Sequence, residues 1–213
     1  MLAPINKLLG GRKVILASQS PWRRQILENI SFPMEVIPSS FEENLDKSQF
    51  AHAWEYVVST SEGKAIDVAS KQKGRPDCAV TVGADTVIEK DGEILEKPHT
   101  PDNARKMLNK LNGTTHNVYT GVTLAWWAGS MGGDMNTHSF YEGTEVTFST
   151  HSDDIIESYI ESGEPLEKAG GYGIQGLGGT LVQGVRGDYL NVVGLPLHRL
   201  CVELLTVLRS MNR

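Results

Sequence analysis

The chain has 213 residues, 39% of them apolar and 22% charged, the mix of an ordinary globular protein with one sizeable core. A net charge of −6 argues against a broad surface for long nucleic acid, but leaves room for one pocket with a few local cations. No stretch is apolar for long enough to cross a bilayer, and the opening MLAPINKLLGGRK lacks the apolar centre of a secretory signal.

The two cysteines, Cys78 and Cys201, have no metal-like spacing and read as buried thiols. The expectation is therefore a single cytoplasmic domain over residues 1–213, without membrane attachment.

In chain order, KVILA at 13–17 reads as a strand and PWRRQILENI at 21–30 as a helix, with Ile26, Leu27 and Ile30 on one stripe. MEVIP at 34–38 is a second strand. Residues 54–71 suggest a helix, weakened by Gly63. CAVTVGA at 78–84 is a buried strand, expected to end or bend at Asp85. Asp91-Gly92 signals a two-residue hairpin, which would pair Lys90 with Glu93, Ile88 with Leu95 and Thr86 with Lys97.

A helix follows Thr100, with Pro101 in its first turn and Gly113 closing it. Residues 116–127 and 139–148 are rich in β-branched and aromatic types and predict a long hairpin with a mobile, glycine-rich tip. Ser152 opens another helix, GTLVQGV at 179–185 and LNVVG at 190–194 read as strands, and an amphipathic helix runs from Leu195. The alternation predicts a mixed α/β fold.

Three clusters carry chemistry. Ser20-Pro21 starts a helix whose free N–H groups and dipole face an anion. Ser18 and Ser20 add hydroxyls, and Arg23 in the first turn can fold back onto a phosphate. The same residues also make a plain capped helix with solvated arginines. Asp85, brought near Lys97 by the hairpin, can ligate Mg²⁺ or orient water, or can form a structural ion pair.

The third cluster, EPLEKAGGYGIQGLGG, contains a formal G-x-G-x-x-G, but lacks the preceding strand and following helix of a dinucleotide site. Its glycines suit tight turns or a close ligand, with Gln175 either reading a base edge or lying exposed in a turn. The acidic residues after the second strand and Lys64 in the helix beyond read, by themselves, as solvated charges. The histidines show no ligand spacing, and His116 reads as structural.

LASQSPWRRQIL, the glutamate after the second strand, GKA, VGADTVI, GEILEKP, ARKMLNKLNGTTHNVYTGV, SGEPLEKAGGYGIQGLGG and GDYLNVVGLPL, in this order, resemble the Maf family of nucleotide pyrophosphatases. The resemblance implies a two-lobed α/β fold like the inosine triphosphate pyrophosphatases, with a long mixed central sheet and an active-site cleft. It implies hydrolysis of a nucleoside triphosphate to monophosphate and pyrophosphate with a divalent cation, Mg²⁺ or Mn²⁺.

It further implies that Arg23, with Ser18 and Ser20, binds phosphate, that Asp85 accepts the proton, and that Lys64 and Lys97 stabilise charge. Glu43 is the matching acidic residue and, with Asp85, the implied metal ligand. The family includes homodimers, so a homodimer is an expectation too.

Thr86 and Gln175 resemble relatives that act on dTTP and UTP. Trp22, in SPWRR, resembles relatives that act on 7-methyl-GTP, and tryptophan stacks well on a cationic base. The expected substrates are dTTP and UTP. The alternatives are a 7-methyl-GTP or broad modified-nucleotide pyrophosphatase, and a non-catalytic nucleotide sensor in septum formation.

Overall fold

The computed structural model describes residues 1–128 and 133–212. The expected mobile hairpin tip, at 129–132, lies outside the described residues.

Three long strands organise the molecule: β3 (Cys78–Lys90), β5 (Thr115–Trp127) and β6 (Met135–Phe148). Each has 13 or 14 residues. At the usual rise per residue such a strand is roughly 40 Å long, enough to serve two cores in succession. The short parallel strands β1 (Lys13–Ala17) and β2 (Met34–Val36) extend the sheet on one side, and β7 (Val182–Arg186) closes the other. The order is β2-β1-β3-β5-β6-β7, with β3, β5, β6 and β7 antiparallel to their neighbours in turn.

β4 (Glu93–Leu95) folds back on the far end of β3 through Asp91 and Gly92, whose φ values of 54° and 78° suit a primed turn that matches strand twist. Lys90 faces Glu93 and Ile88 faces Leu95, as the turn requires, but pairing stops at Leu95. Lys97 therefore does not register against Thr86.

Two hydrophobic cores lie end to end along one sheet face. The first packs α1 (Leu2–Leu9), α2 (Pro21–Glu28) and α7 (Leu197–Met211) on Val80, Val82, Ala84, Val122 and Leu124. The second packs α4 (Pro101–Leu111) and α5 (Asp153–Glu161) on Ile88, Val118, Val146 and Phe148. The change-over falls at residues 85–87 of β3. The opposite face is covered by α3 (Ala53–Lys71). That helix lies very close, because a Cβ at Gly83 would sit 2.2 Å from the Ser61 carbonyl oxygen and one at Gly121 2.4 Å from that of Val57.

Local signals predicted several boundaries. The Ser20 and Thr100 hydroxyls accept from the Arg23 and Asn103 amides and cap α2 and α4. Other expectations are corrected. β3 does not end at Asp85 but continues to Lys90, because α3 and β5 cover it on both sides of the break in composition. LNVVG is not a strand but the short helix α6 (Tyr189–Val193), started by the Asp188 carboxylate on the Leu190 amide at 2.8 Å. The cap and the packing of Leu190 and Val193 on the first core override β-branched propensity. GTLVQGV begins with a 3₁₀ turn, Leu177–Leu181, before β7. Cys78 is only half-buried, whereas Cys201 is buried. Among the described residues, no helix is long and apolar enough to cross a membrane.

Candidate active site

β1 ends with Ala17 against Gly83, and β4 begins its pairing with Leu95 against Ile88. Between these pairings, residues 84–87 of β3 have no strand on that side among the described residues. A cavity of about 810 Å³ opens over this gap, between the two cores. Ser18, Ser20, Trp22, Arg23, Glu43, Lys64, Asp85, Thr86, Lys97 and Gln175 all line it.

Consecutive residues of a strand point to opposite faces, so Asp85 and Thr86 meet different partners. Asp85 turns toward α3, where Lys64 Nζ donates to its Oδ1 at 2.9 Å. The same Nζ lies 2.7 Å from Glu43 Oε2. Lys64 and Asp85 are buried, whereas Glu43 is half open to solvent. Burial pushes the Asp85 carboxyl above the usual carboxylate range, against the pull of Lys64 and Arg23 toward ionisation. The close seating of α3 on Gly83 brings Lys64 within reach. Glu43, rather than its neighbour Glu42, faces the cleft, and Glu42 accepts from Asn44 instead.

Thr86 turns to the other face, toward Arg23 of α2. Arg23 Nη2 donates to Thr86 Oγ1 at 2.9 Å, Nη1 to Ser18 Oγ at 3.2 Å, and Nε to the Gly194 carbonyl at 2.7 Å. Thr120 donates its hydroxyl to the Asn191 carbonyl at 3.1 Å, so Thr86 must donate to Thr120 across their 2.9 Å contact. Every proton in this relay points away from Arg23, leaving the Thr86 oxygen to accept the guanidinium. Asn191, fully buried, anchors the far end by donating to the Val118 carbonyl and the Thr144 hydroxyl. Burial lowers the Arg23 pKa, with Asp85 and Glu43 opposing that shift. Among the described residues Arg23 has no carboxylate within ion-pair distance.

Ser18 Oγ also accepts from the Ser20 amide at 3.2 Å, so its own proton is free for a ligand. Lys97 lines the cavity but is exposed and lies 3.3 Å from Glu167, not beside Asp85. The hairpin register breaks after Leu95, and Pro98 follows. Gln175 is held among the glycines, its Nε2 buried and without a partner among the described residues.

Glu164 organises that segment by accepting from the Leu177 and Gly178 amides at 2.9 and 3.0 Å and from the Tyr159 hydroxyl at 3.0 Å. Trp22 does not present a bare ring, because Lys168 Nζ lies 4.4 Å from its centroid. Sequence reasoning misses Glu164, Lys168, Thr120 and Asn191. Lys168 and Glu164 sit in the glycine-rich segment, but nothing local marks them. His116 does not line the cleft but is buried directly behind it, 2.8 Å from the hydroxyl of the lining residue Tyr172, and burial lowers its pKa to about 4.

A mixed sheet serving two cores, with a buried carboxylate and cations gathered at the open edge of its central strand, defines an α/β protein with a charged cleft between its two cores. The chain belongs to the Maf family: residues 13–207 match the family described as Maf-like protein.

It is 44% identical over 207 residues to the human "Probable bifunctional dTTP/UTP pyrophosphatase/methyltransferase protein", covering 96% of this chain and 33% of that one. It is 45% identical to a "dTTP/UTP pyrophosphatase" of Clostridium perfringens, over 88% of this chain and 93% of the other. Identity to a Bacillus cereus protein of the same name is 42%, over 91% and 94%. The chain thus spans about a third of the human relative and nearly all of the bacterial ones. A solved Mycobacterium abscessus dITP/XTP pyrophosphatase aligns over 94% of this chain and 96% of its own, at 14% identity and TM-score 0.40, a likeness too loose to bear weight.

Proposed function

We propose that this chain hydrolyses nucleoside triphosphates, dTTP and UTP foremost, to the monophosphate and pyrophosphate. One observation carries the reading: a buried carboxylate, Asp85, lies 2.9 Å from Lys64 on the open strand edge, with Arg23 held on the next residue. The names of the Clostridium and Bacillus relatives supply the nucleotides.

Attack on the α-phosphorus needs a water aimed in line and a group to take its proton. Asp85 is that group: burial raises its basicity, against the pull of Lys64 and Arg23 toward the ionised form. Arg23, unmatched by a carboxylate among the described residues, binds the phosphate tail together with the N-terminus of α2 and the Ser18 and Ser20 hydroxyls. Lys97 adds charge at the rim for the leaving pyrophosphate, while Lys64, held by Asp85 and Glu43, positions the proton acceptor.

Four cationic side chains and four carboxylates line the cleft, so a triphosphate brings negative charge that the protein leaves uncompensated. Among the described residues no group of three or more metal-ligating side chains converges. Asp85 and Glu43, both hard oxygen donors around one ammonium, are the residues that would hold Mg²⁺ or Mn²⁺. Such an ion supplies charge neutralisation on the phosphates.

A panel of triphosphates with pyrophosphate detection tests the reading. UTP and dTTP should turn over fastest, and Asp85→Asn protein should release pyrophosphate far more slowly. Faster turnover of 7-methyl-GTP would reassign the substrate. Nucleotide binding without any pyrophosphate release would make the chain a sensor.

A further inference from the structure

An indole in a nucleotide cleft is a platform for a base, and for a cationic base above all. Trp22 lines this cleft, but the ammonium of Lys168 already stands over its ring, 4.4 Å from the centroid. The position is built rather than incidental. A Cβ on Gly173 would lie 3.2 Å from Lys168 Cε and 3.6 Å from Cδ, so the glycine keeps a lane open for the lysine stem. Among the described residues no carboxylate lies within ion-pair distance of Lys168. Glu164 is engaged by the Leu177 and Gly178 amides and the Tyr159 hydroxyl. The ammonium therefore keeps its N–H donors for the cavity. Gln175 Nε2 is a second donor there, without a partner among the described residues.

We propose that Lys168, seated on Trp22, is the specificity-determining residue that turns a cationic base away from this cleft and selects a neutral base bearing carbonyl oxygens. The proposal rests on the nucleotide reading of the site and deepens it. A 7-methylguanine ring carries positive charge and would have to displace a like charge from the indole. Uracil and thymine are neutral and offer carbonyl oxygens to the donors of Lys168 and Gln175.

The test is calorimetric titration of UTP and 7-methyl-GTP as their non-hydrolysable α,β-imido analogues in Mg²⁺, so that binding is read without turnover. It uses the wild type, Lys168→Met, Lys168→Arg, and Lys168→Met combined with Trp22→Leu. In Lys168→Met the ratio of affinities should move toward 7-methyl-GTP by about tenfold, the scale of a cation–aromatic interaction between base and indole together with the loss of a like charge. Lys168→Arg, which keeps a cation on the ring, should hold the wild-type ratio. The double variant should lose the shift, because the platform is gone.

An unchanged ratio in Lys168→Met overturns the proposal, as does an equal shift in Lys168→Arg. If UTP binds but no pyrophosphate is ever released, the hydrolytic reading falls while the binding ratios still decide the role of Lys168. If neither nucleotide binds the wild type, both fall.

Discussion

Asp85 and Thr86 are neighbours in sequence, yet the two buried cations they meet on opposite faces of β3 are held in opposite ways. Lys64 sits between two carboxylates. Arg23 touches two hydroxyls and a carbonyl and, among the described residues, no carboxylate. An ammonium saturated by anions fixes the position and proton affinity of those anions. A guanidinium held only by neutral oxygens keeps its charge for an incoming phosphate, at the cost of desolvation while the cleft is empty. On the proposed reading, one face of the strand serves a proton and the other a phosphate.

The largest effect that would break this division is at Asp85. Replacing it with Asn should lower turnover by about 10²–10⁴-fold, the scale of a lost general base, while calorimetry shows UTP still bound. The melting temperature of the same variant should gain on that of the wild type as pH rises. The Asp85 pKa in the fold lies above its unfolded value, so its contribution to stability is full below that unfolded value and is lost as pH rises through the folded one. Undiminished turnover would remove Asp85 from the proton's path, and a melting-temperature difference that does not change with pH would contradict the burial argument.

Next in size is Lys64→Met. The Lys64 charge lowers the Asp85 pKa, so its loss should carry the acid limb of kcat/KM to higher pH. A pH–rate profile with an unmoved limb would uncouple the two residues.

On the phosphate face, Thr120→Val interrupts the hydroxyl relay behind Arg23. It should lower kcat and cost about 1–3 kcal/mol of stability, since the buried Asn191 carbonyl and Thr86 hydroxyl each lose a partner. Thr120→Ser, which keeps the hydroxyl, should recover both in kinetics and denaturant melts. Equal kcat in Thr120→Val would make the relay a packing feature only. The smallest effect sharpens rather than breaks the comparison. Gln175→Glu should shift base preference in the triphosphate panel while changing stability by less than about 0.5 kcal/mol, as expected for a polar change at a cleft wall. An unchanged profile would take Gln175 out of base recognition.

Much of this arrangement is legible in short stretches of chain. Ser20-Pro21 announces a helix start, Asp91-Gly92 a hairpin, and the ten residues predicted for the site do converge on one cavity. What misleads is equally local. LNVVG has strand-like composition but folds as a helix, because Asp188 caps it and the first core takes its side chains. Continuing the hairpin register predicts Lys97 beside Asp85, but pairing ends two residues earlier. Thr86 reads in the sequence as a mark of base preference, yet its hydroxyl is committed to Arg23 and Thr120. Trp22 reads as a stacking face, and Lys168, 146 positions later, already covers its ring.

The sequence by itself determined the turns, the caps, the alternation of strands and helices, and the inventory of groups able to meet a polyphosphate, because each depends on contacts within a few residues. Only the tertiary structure decided which of those groups share a face, which cation is already neutralised, and what stands over the indole. Those depend on strand pairing and on the close approach of α3 to Gly83 and Gly121, where residues far apart in the chain must settle for one another in a space that no local pattern encodes.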